Sequence, residues 1–356
     1  MSIKESISSM RQDVVRARSK LRRVAKSSAF RTRYELRRIA GLDEDIQSII
    51  GSYQQMLADN RGAPPMYTAG LFWEEINHQF SPLIYSGAIK TLRNQYFNRR
   101  FSGPQPASMQ VYTSLNWLYY QTLLPRDVDG YLKRGLDPAP GGTGDQVIID
   151  GRPMSVDFLQ SVDEAFSIRD ALKTIGATSP RVIIELGAGY GRLANVCREI
   201  FPECSYVILD LPEALLCSST WLAQTRPGEV VPYAESRTLK RLDRELLASK
   251  PIWTLGAQQI ENLSDGCGDV FVNAYSFAEM PVASIENYFS HIDRLIDGVF
   301  YTKQRREENN VVDNVTVTPA TYPVRERWTR LSEKLSTLYE AFFEATYRIP
   351  RGTPAT

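Results

Sequence analysis

The chain has 356 residues, enough for about two domains, with 43% hydrophobic content to supply a sizeable core. Its 42 Lys and Arg nearly cancel its 41 Asp and Glu, which argues against nucleic-acid electrostatics and against an acidic disordered chain. No run approaches about 18 apolar residues, so no membrane span is expected, and MSIKESISSMRQ has no apolar core of a secretory signal.

Between Lys4 and Arg38 stand twelve Lys/Arg against Glu5, Asp13 and Glu35. Residues 1–40 therefore read as a basic helical segment. Such a run is ordinarily a solvated face; its sharper reading is a patch for an anionic partner. No aromatic residue is interleaved before Phe30, so nucleic acid is not expected there. Residues 41–175 read as a mostly helical, aromatic-rich substrate or lid region. LDPAPGGTGD at 136–145 breaks it, and Asp150-Gly151 marks a hairpin near 146–155.

From residue 176 the rhythm becomes strand, turn, helix, as in a parallel α/β sheet covered on both faces. Strands are expected at 181–186 (RVIIEL), 205–211 (SYVILDL), around Trp253, at 269–274 (DVFVNA) and at 299–303. Helices are expected at 192–200, 213–224 and 285–296. Two last strands, 314–318 (NVTVT) and 342–349 (FFEATYRI), should flank one more helix.

The densest signal is ELGAGYGR, comprising Glu185, Gly187, Ala188, Gly189, Tyr190, Gly191 and Arg192. Glycines that follow a strand and open a helix allow a sharp turn and close approach of a ligand. A dinucleotide fingerprint counted from Gly187 would need glycine where Arg192 stands. Glu185 lies at the carboxyl end of the strand, where ligands bind in open α/β sheets. Its charge would repel a pyrophosphate and tolerate a cationic sulfonium ligand. Asp210 closes the next strand and can accept two hydrogen bonds from ribose hydroxyls.

ELGAGYGR together with VILDLP resembles motifs I and II of class I S-adenosylmethionine (SAM) dependent methyltransferases. More narrowly, residues 146–348 resemble bacterial sugar O-methyltransferases, through LDLPEAL, NAYSFAEMP, YFSHIDRL, FYTKQ, TYPV and FFEATY. The resemblance implies a Rossmann-like sheet of parallel strands with an antiparallel last strand, and SAM as cofactor. It implies that Glu185 faces the amino-acid end of SAM or holds the loop, and that Gly187 and Gly189 approach the cofactor. Ala188, Tyr190 and Gly191 complete that loop. Asp210 takes the ribose, Leu211 and Gln259 the adenine, and Asn273 the methionyl group.

A sugar hydroxyl is a poor nucleophile at neutral pH, so a general base would help. Asn273, Tyr275, Ser276 and Glu279 follow the fourth strand, and Lys303 and Gln304 end the fifth. Glu279 is expected as base or acceptor-orienting group, with Ser276 beside it. His291 is a further candidate, although its spacing from Tyr288 and Leu295 also suits a packing role. His78 would reach the site only from a lid. Trp73, Trp117, Tyr119 and Tyr120 could stack on sugar rings or fill the core. With two histidines and no CxxC pair among four cysteines, no metal is expected; the cysteines suit a reducing cytoplasm. The expected function is O-methylation of a sugar or glycosylated metabolite. Competing readings are a non-sugar small-molecule acceptor, an RNA acceptor recruited by the basic segment, and an inactive methyltransferase fold used for interaction.

Overall fold

The computed structural model describes residues 44–71, 73, 74, 77, 80, 84, 109–135, 137, 146–310, 315–337 and 340–351. The basic segment 1–40, His78 and the glycine tract 141–144 lie outside the described residues.

Among the described residues, the α-helices with defined bounds before the first strands are α1 (Glu44–Arg61), α2 (Met109–Leu123) and α3 (Tyr131–Arg134). Strands β1 (Val147–Ile149) and β2 (Arg152–Met154) pair antiparallel. Asp150 and Gly151, at φ 49° and 76°, supply the left-handed turn between them. Helix α4 (Val156–Thr174) then starts on Ser155, whose side chain accepts from the Phe158 N–H.

The alternating region builds β3 (Val182–Leu186), α5 (Arg192–Ile200), β4 (Ser205–Asp210) and α6 (Pro212–Thr225). It continues through β5 (Val230–Val231), α7 (Tyr233–Ser236), α8 (Arg244–Ala248), β6 (Ile252–Gly256) and β7 (Gly268–Ala274). It ends with α9 (Val282–Leu295), β8 (Ile296–Arg305), β9 (Glu308–Asn310), β10 (Val315–Val317), β11 (Thr329–Leu335) and β12 (Phe342–Ile349).

Eight strands form one sheet in the order β11-β12-β8-β7-β3-β4-β6-β5. Only β12 runs against the rest, antiparallel to both β8 and β11. This is the class I methyltransferase arrangement that the resemblance implies, with a two-residue strand added at one edge. The central strands are apolar on both faces because both are covered. Ile183, Tyr206, Ile208 and Tyr301 face one core with α4, α5 and α6. Ile184, Val207, Trp253 and Phe300 face the other with α9.

The last strands differ from expectation. β10 pairs with β9 in a separate ribbon, and the neighbour of β12 is β11. Between β10 and β11 the chain makes only the three-residue 3-10 helix Pro319–Thr321, with no α-helix. β11 (TRLSEKL) is an exposed edge strand, so no apolar run announces it.

The described helices before β3 share a core with the sheet. Tyr53 of α1 donates to Glu213 of α6 at 2.7 Å, and Asp59 accepts from Tyr233 and Arg237. No described helix is long and apolar enough to cross a membrane.

Candidate functional site

β3 continues through α5 to β4 on one side, while its other neighbour, β7, belongs to the opposite half of the sheet. Such a switch point opens a crevice beyond the strand ends. A cavity lies there, and the glycine loop forms its floor. Gly187, Gly189 and Gly191 have φ of 79°, 61° and 87°. Gly187 and Gly191 also face neighbours: an added Cβ would lie 2.5 Å from Ser276 Oγ or 2.7 Å from Leu222 Cδ1. Gly191 serves packing, because it does not line the cavity, whereas Gly187, Ala188, Gly189 and Tyr190 do. The Tyr190 hydroxyl donates to Asp157 at 3.1 Å, and its ring meets Trp221 edge-on.

Asp210 turns back onto this loop. Its Oδ2 accepts from Gly189 N at 3.0 Å and its Oδ1 from Leu211 N at 2.8 Å. Burial pushes the carboxyl up to about 7, against the pull of those N–H groups. Leu211 lines the cavity beside it. Glu185 is also pushed up to about 8 by burial, against the Tyr206 phenol, which donates to it at 2.8 Å, and against Arg192. Arg192 is committed elsewhere: it bonds Ser161 at 2.9 Å and pairs with Glu164 at 2.8 Å.

Ser276 and Glu279 reach the cavity from the turn after β7. Besides Gly191, three expected residues do not line it. Asn273 is fully buried and ties strand ends together. Its Nδ2 donates to Leu186 O and Ser276 Oγ, and its Oδ1 accepts from Phe277 N and Gln304. Gln259 accepts from Gly256 N at 2.9 Å and donates to Ser236 O at 3.0 Å; Ala257 is the residue after β6 that faces the cavity. His291 sits behind the wall, its Nε2 2.8 Å from the Tyr67 hydroxyl and its Nδ1 accepting from Arg294. Burial and Arg294 lower its pKa, which keeps the ring neutral for this packing role.

The opposite wall comes from the segment after α1: Met66, Thr68, Gly70 and Trp73. Tyr67 anchors that segment by donating to Glu261 and meeting His291. Of the four aromatic residues considered for sugar stacking, Trp73 alone lines the cavity. Tyr119 and Tyr120 are buried and bond Asp163 and Asp150, while Trp117 is exposed. Asp157, Met66, Thr68 and Gly70 had no motif to mark them. Arg192 stood in the sequence only as the residue that breaks a dinucleotide fingerprint.

No family model matches the chain. No curated protein matches it either. Among solved structures it is similar to a geranyl diphosphate methyltransferase in complex with SAM, at 11% identity over 55% of this chain and 87% of that one, with a TM-score of 0.38. It is also similar to a SAM dependent methyltransferase from Aquifex aeolicus, at 12% identity over 52% of this chain and 93% of that one, with a TM-score of 0.33. Both are likenesses of fold at low identity.

Proposed function

We propose that the chain is a SAM-dependent O-methyltransferase whose acceptor is a hydroxyl of a sugar or a glycosylated metabolite. One observation carries the cofactor reading. Among the described residues, the cavity on the glycine loop is lined by four carboxylates, Asp157, Glu185, Asp210 and Glu279, against the single cation Arg192, which is already paired with Glu164. A ligand with a sulfonium and an ammonium group suits that balance, and a pyrophosphate does not.

In this reading each Asp210 oxygen has accepted one N–H and keeps a lone pair for a ribose hydroxyl. Leu211 and Ala257 offer apolar contact to the adenine. Glu185 faces the ammonium, and Gly187 and Gly189 let the backbone approach the methionyl chain. Glu279 receives the proton of the acceptor hydroxyl, and Trp73 offers a face to a sugar ring. The sugar preference comes from the sequence resemblance. The apolar wall of Met66, Trp73, Met280 and Tyr288 favours a second acceptor class, an aromatic hydroxyl. All four cysteines are free and buried, which fits the cytoplasm as the site of the reaction.

Thermal denaturation with SAM, S-adenosylhomocysteine and NADH tests the cofactor. Ligand at about 100 times its dissociation constant should add about 2.7 kcal/mol, a rise of a few degrees. The rise should appear with the two adenosyl compounds only and weaken in Asp210→Ala. No shift with either would remove the enzyme reading.

A further inference from the structure

Helix α4 carries charged side chains into the interior beside the cavity. Asp163 meets Arg126, and Glu344 meets Lys334 while accepting from Ser167 and Tyr301. Glu164 is left with two cations: Arg192 lies 2.8 Å from Oε2, and Lys303 Nζ lies 3.5 Å from Oε1. Glu164 is thus shared between two cations, and Lys303 holds the longer contact, while Arg126 has a second carboxylate in Asp170 at 3.1 Å. Lys303 is fully buried, and its Nζ has no hydrogen-bond partner. A buried ammonium in that state is costly, and a fold that keeps one has a use for it.

Tyr275 stands between this charge and the cavity that it lines. Its N–H donates to Lys303 O at 2.7 Å, and its φ of 65° is unusual for a bulky residue. The ring centroid lies 5.4 Å from the Arg192 guanidinium and 5.6 Å from Lys303 Nζ. Its phenol oxygen is buried and also lacks a hydrogen-bond partner. Burial works against the Lys303 charge, but the carboxylates of Glu164, Asp163 and Glu344 offset it, so the ammonium persists.

We propose that Arg192 and Tyr275 line the acceptor subsite with the Lys303 ammonium fixed behind the Tyr275 ring, and that it takes an oxygen acid (an ionising hydroxyl or an oxyanion) and rejects protonated amines. The proposal rests on the methyltransferase reading. In the transfer, a lone pair of the acceptor oxygen forms the bond to the methyl carbon while the carbon–sulfur bond breaks, its electrons passing to sulfur. The hydroxyl proton goes to the Glu279 carboxylate. Negative charge develops on the oxygen as its proton leaves, and the fixed ammonium stabilises it at a site closed to water.

The probe is 4-nitrophenol, titrated by the absorbance of its phenolate with the full-length protein, with and without saturating S-adenosylhomocysteine. The bound dye should ionise at a pH lower than the free dye by about one unit or more. Lys303→Met should lose most of that shift and keep S-adenosylhomocysteine affinity, and Lys303→Arg should restore the shift. Tyr275→Phe, which keeps the ring, should weaken dye binding even if Lys303→Met fails to fold. Benzylamine should not displace the dye. Absence of dye binding, an unchanged shift in Lys303→Met, or displacement by benzylamine overturns the proposal. A protein that binds dye but no S-adenosylhomocysteine would keep the oxyanion subsite and lose the methyltransferase reading instead.

Discussion

A methyl group placed on Gly187 would sit 2.5 Å from the Ser276 hydroxyl oxygen. That oxygen cannot retreat freely, because Asn273 Nδ2 holds it at 2.6 Å. Gly176 has nearly the same backbone, φ 78° against 79°, but nothing within 4 Å of an added Cβ. Gly176→Ala should therefore cost only the left-handed conformation, about 1–2 kcal/mol. Gly187→Ala should cost that plus about 1–3 kcal/mol of overpacking, and it should abolish SAM binding. Urea denaturation of both variants measures the difference; equal losses would mean that the Ser276 contact is unimportant.

Glu185 and Asp210 make stability and binding respond oppositely to pH. Both carboxyls have folded-state pKa values above their unfolded ones, so the stability they contribute is complete below about pH 4. It is lost as pH rises through about 7 for Asp210 and about 8 for Glu185. Glu185→Gln should leave the ligand-free protein more stable than wild type at pH 9, on the order of a few kcal/mol, with little difference at pH 4. A cationic ligand needs the ionised forms, so wild-type SAM affinity should rise between pH 6 and 9. Calorimetry showing flat affinity would sink this account of the two carboxyls.

Tyr67 is the bolt of the wall that carries Met66, Thr68 and Trp73. Tyr67→Phe leaves Glu261 and His291 without their shared hydroxyl, a loss of about 1–3 kcal/mol. Amide exchange should accelerate in residues 63–70, and SAM should bind more weakly. Unaltered exchange there would show that apolar packing alone holds the segment.

How far the sequence could be read follows from the range of the interactions. β3, β4, β6 and β7 are buried on both faces, so short apolar runs announce them. The glycine loop and Asp210 are local in sequence and chemically specific, and both line the cavity. β11 defeats the same reasoning because its exposed alternation of charged and polar residues looks like any surface segment. The wall around Tyr67 was invisible for a different reason: its partners Glu261 and His291 lie 194 and 224 residues away, beyond any pattern of spacing. Lys303 and Tyr275 were visible as strand-end residues, but the sharing of Glu164 between Arg192 and Lys303 requires α4, whose polar face carries no motif.

Gln259 and Ala257 separate what the third strand does for the fold from what it does for a ligand. Gln259 spends both ends of its amide on the backbone, at Gly256 N and Ser236 O, and does not line the cavity. Gln259→Ala should thus cost about 1–3 kcal/mol of stability from two unpaired buried groups while leaving SAM affinity nearly unchanged. Ala257 is buried beside the cavity and makes room there by being small. Ala257→Phe should keep most of the stability and block adenosyl binding by filling the space assigned to the adenine. Denaturation midpoints and calorimetric titrations with S-adenosylhomocysteine on the two variants would resolve this. If Gln259→Ala lost affinity and Ala257→Phe did not, the adenine would have to lie on the Gln259 side of the turn.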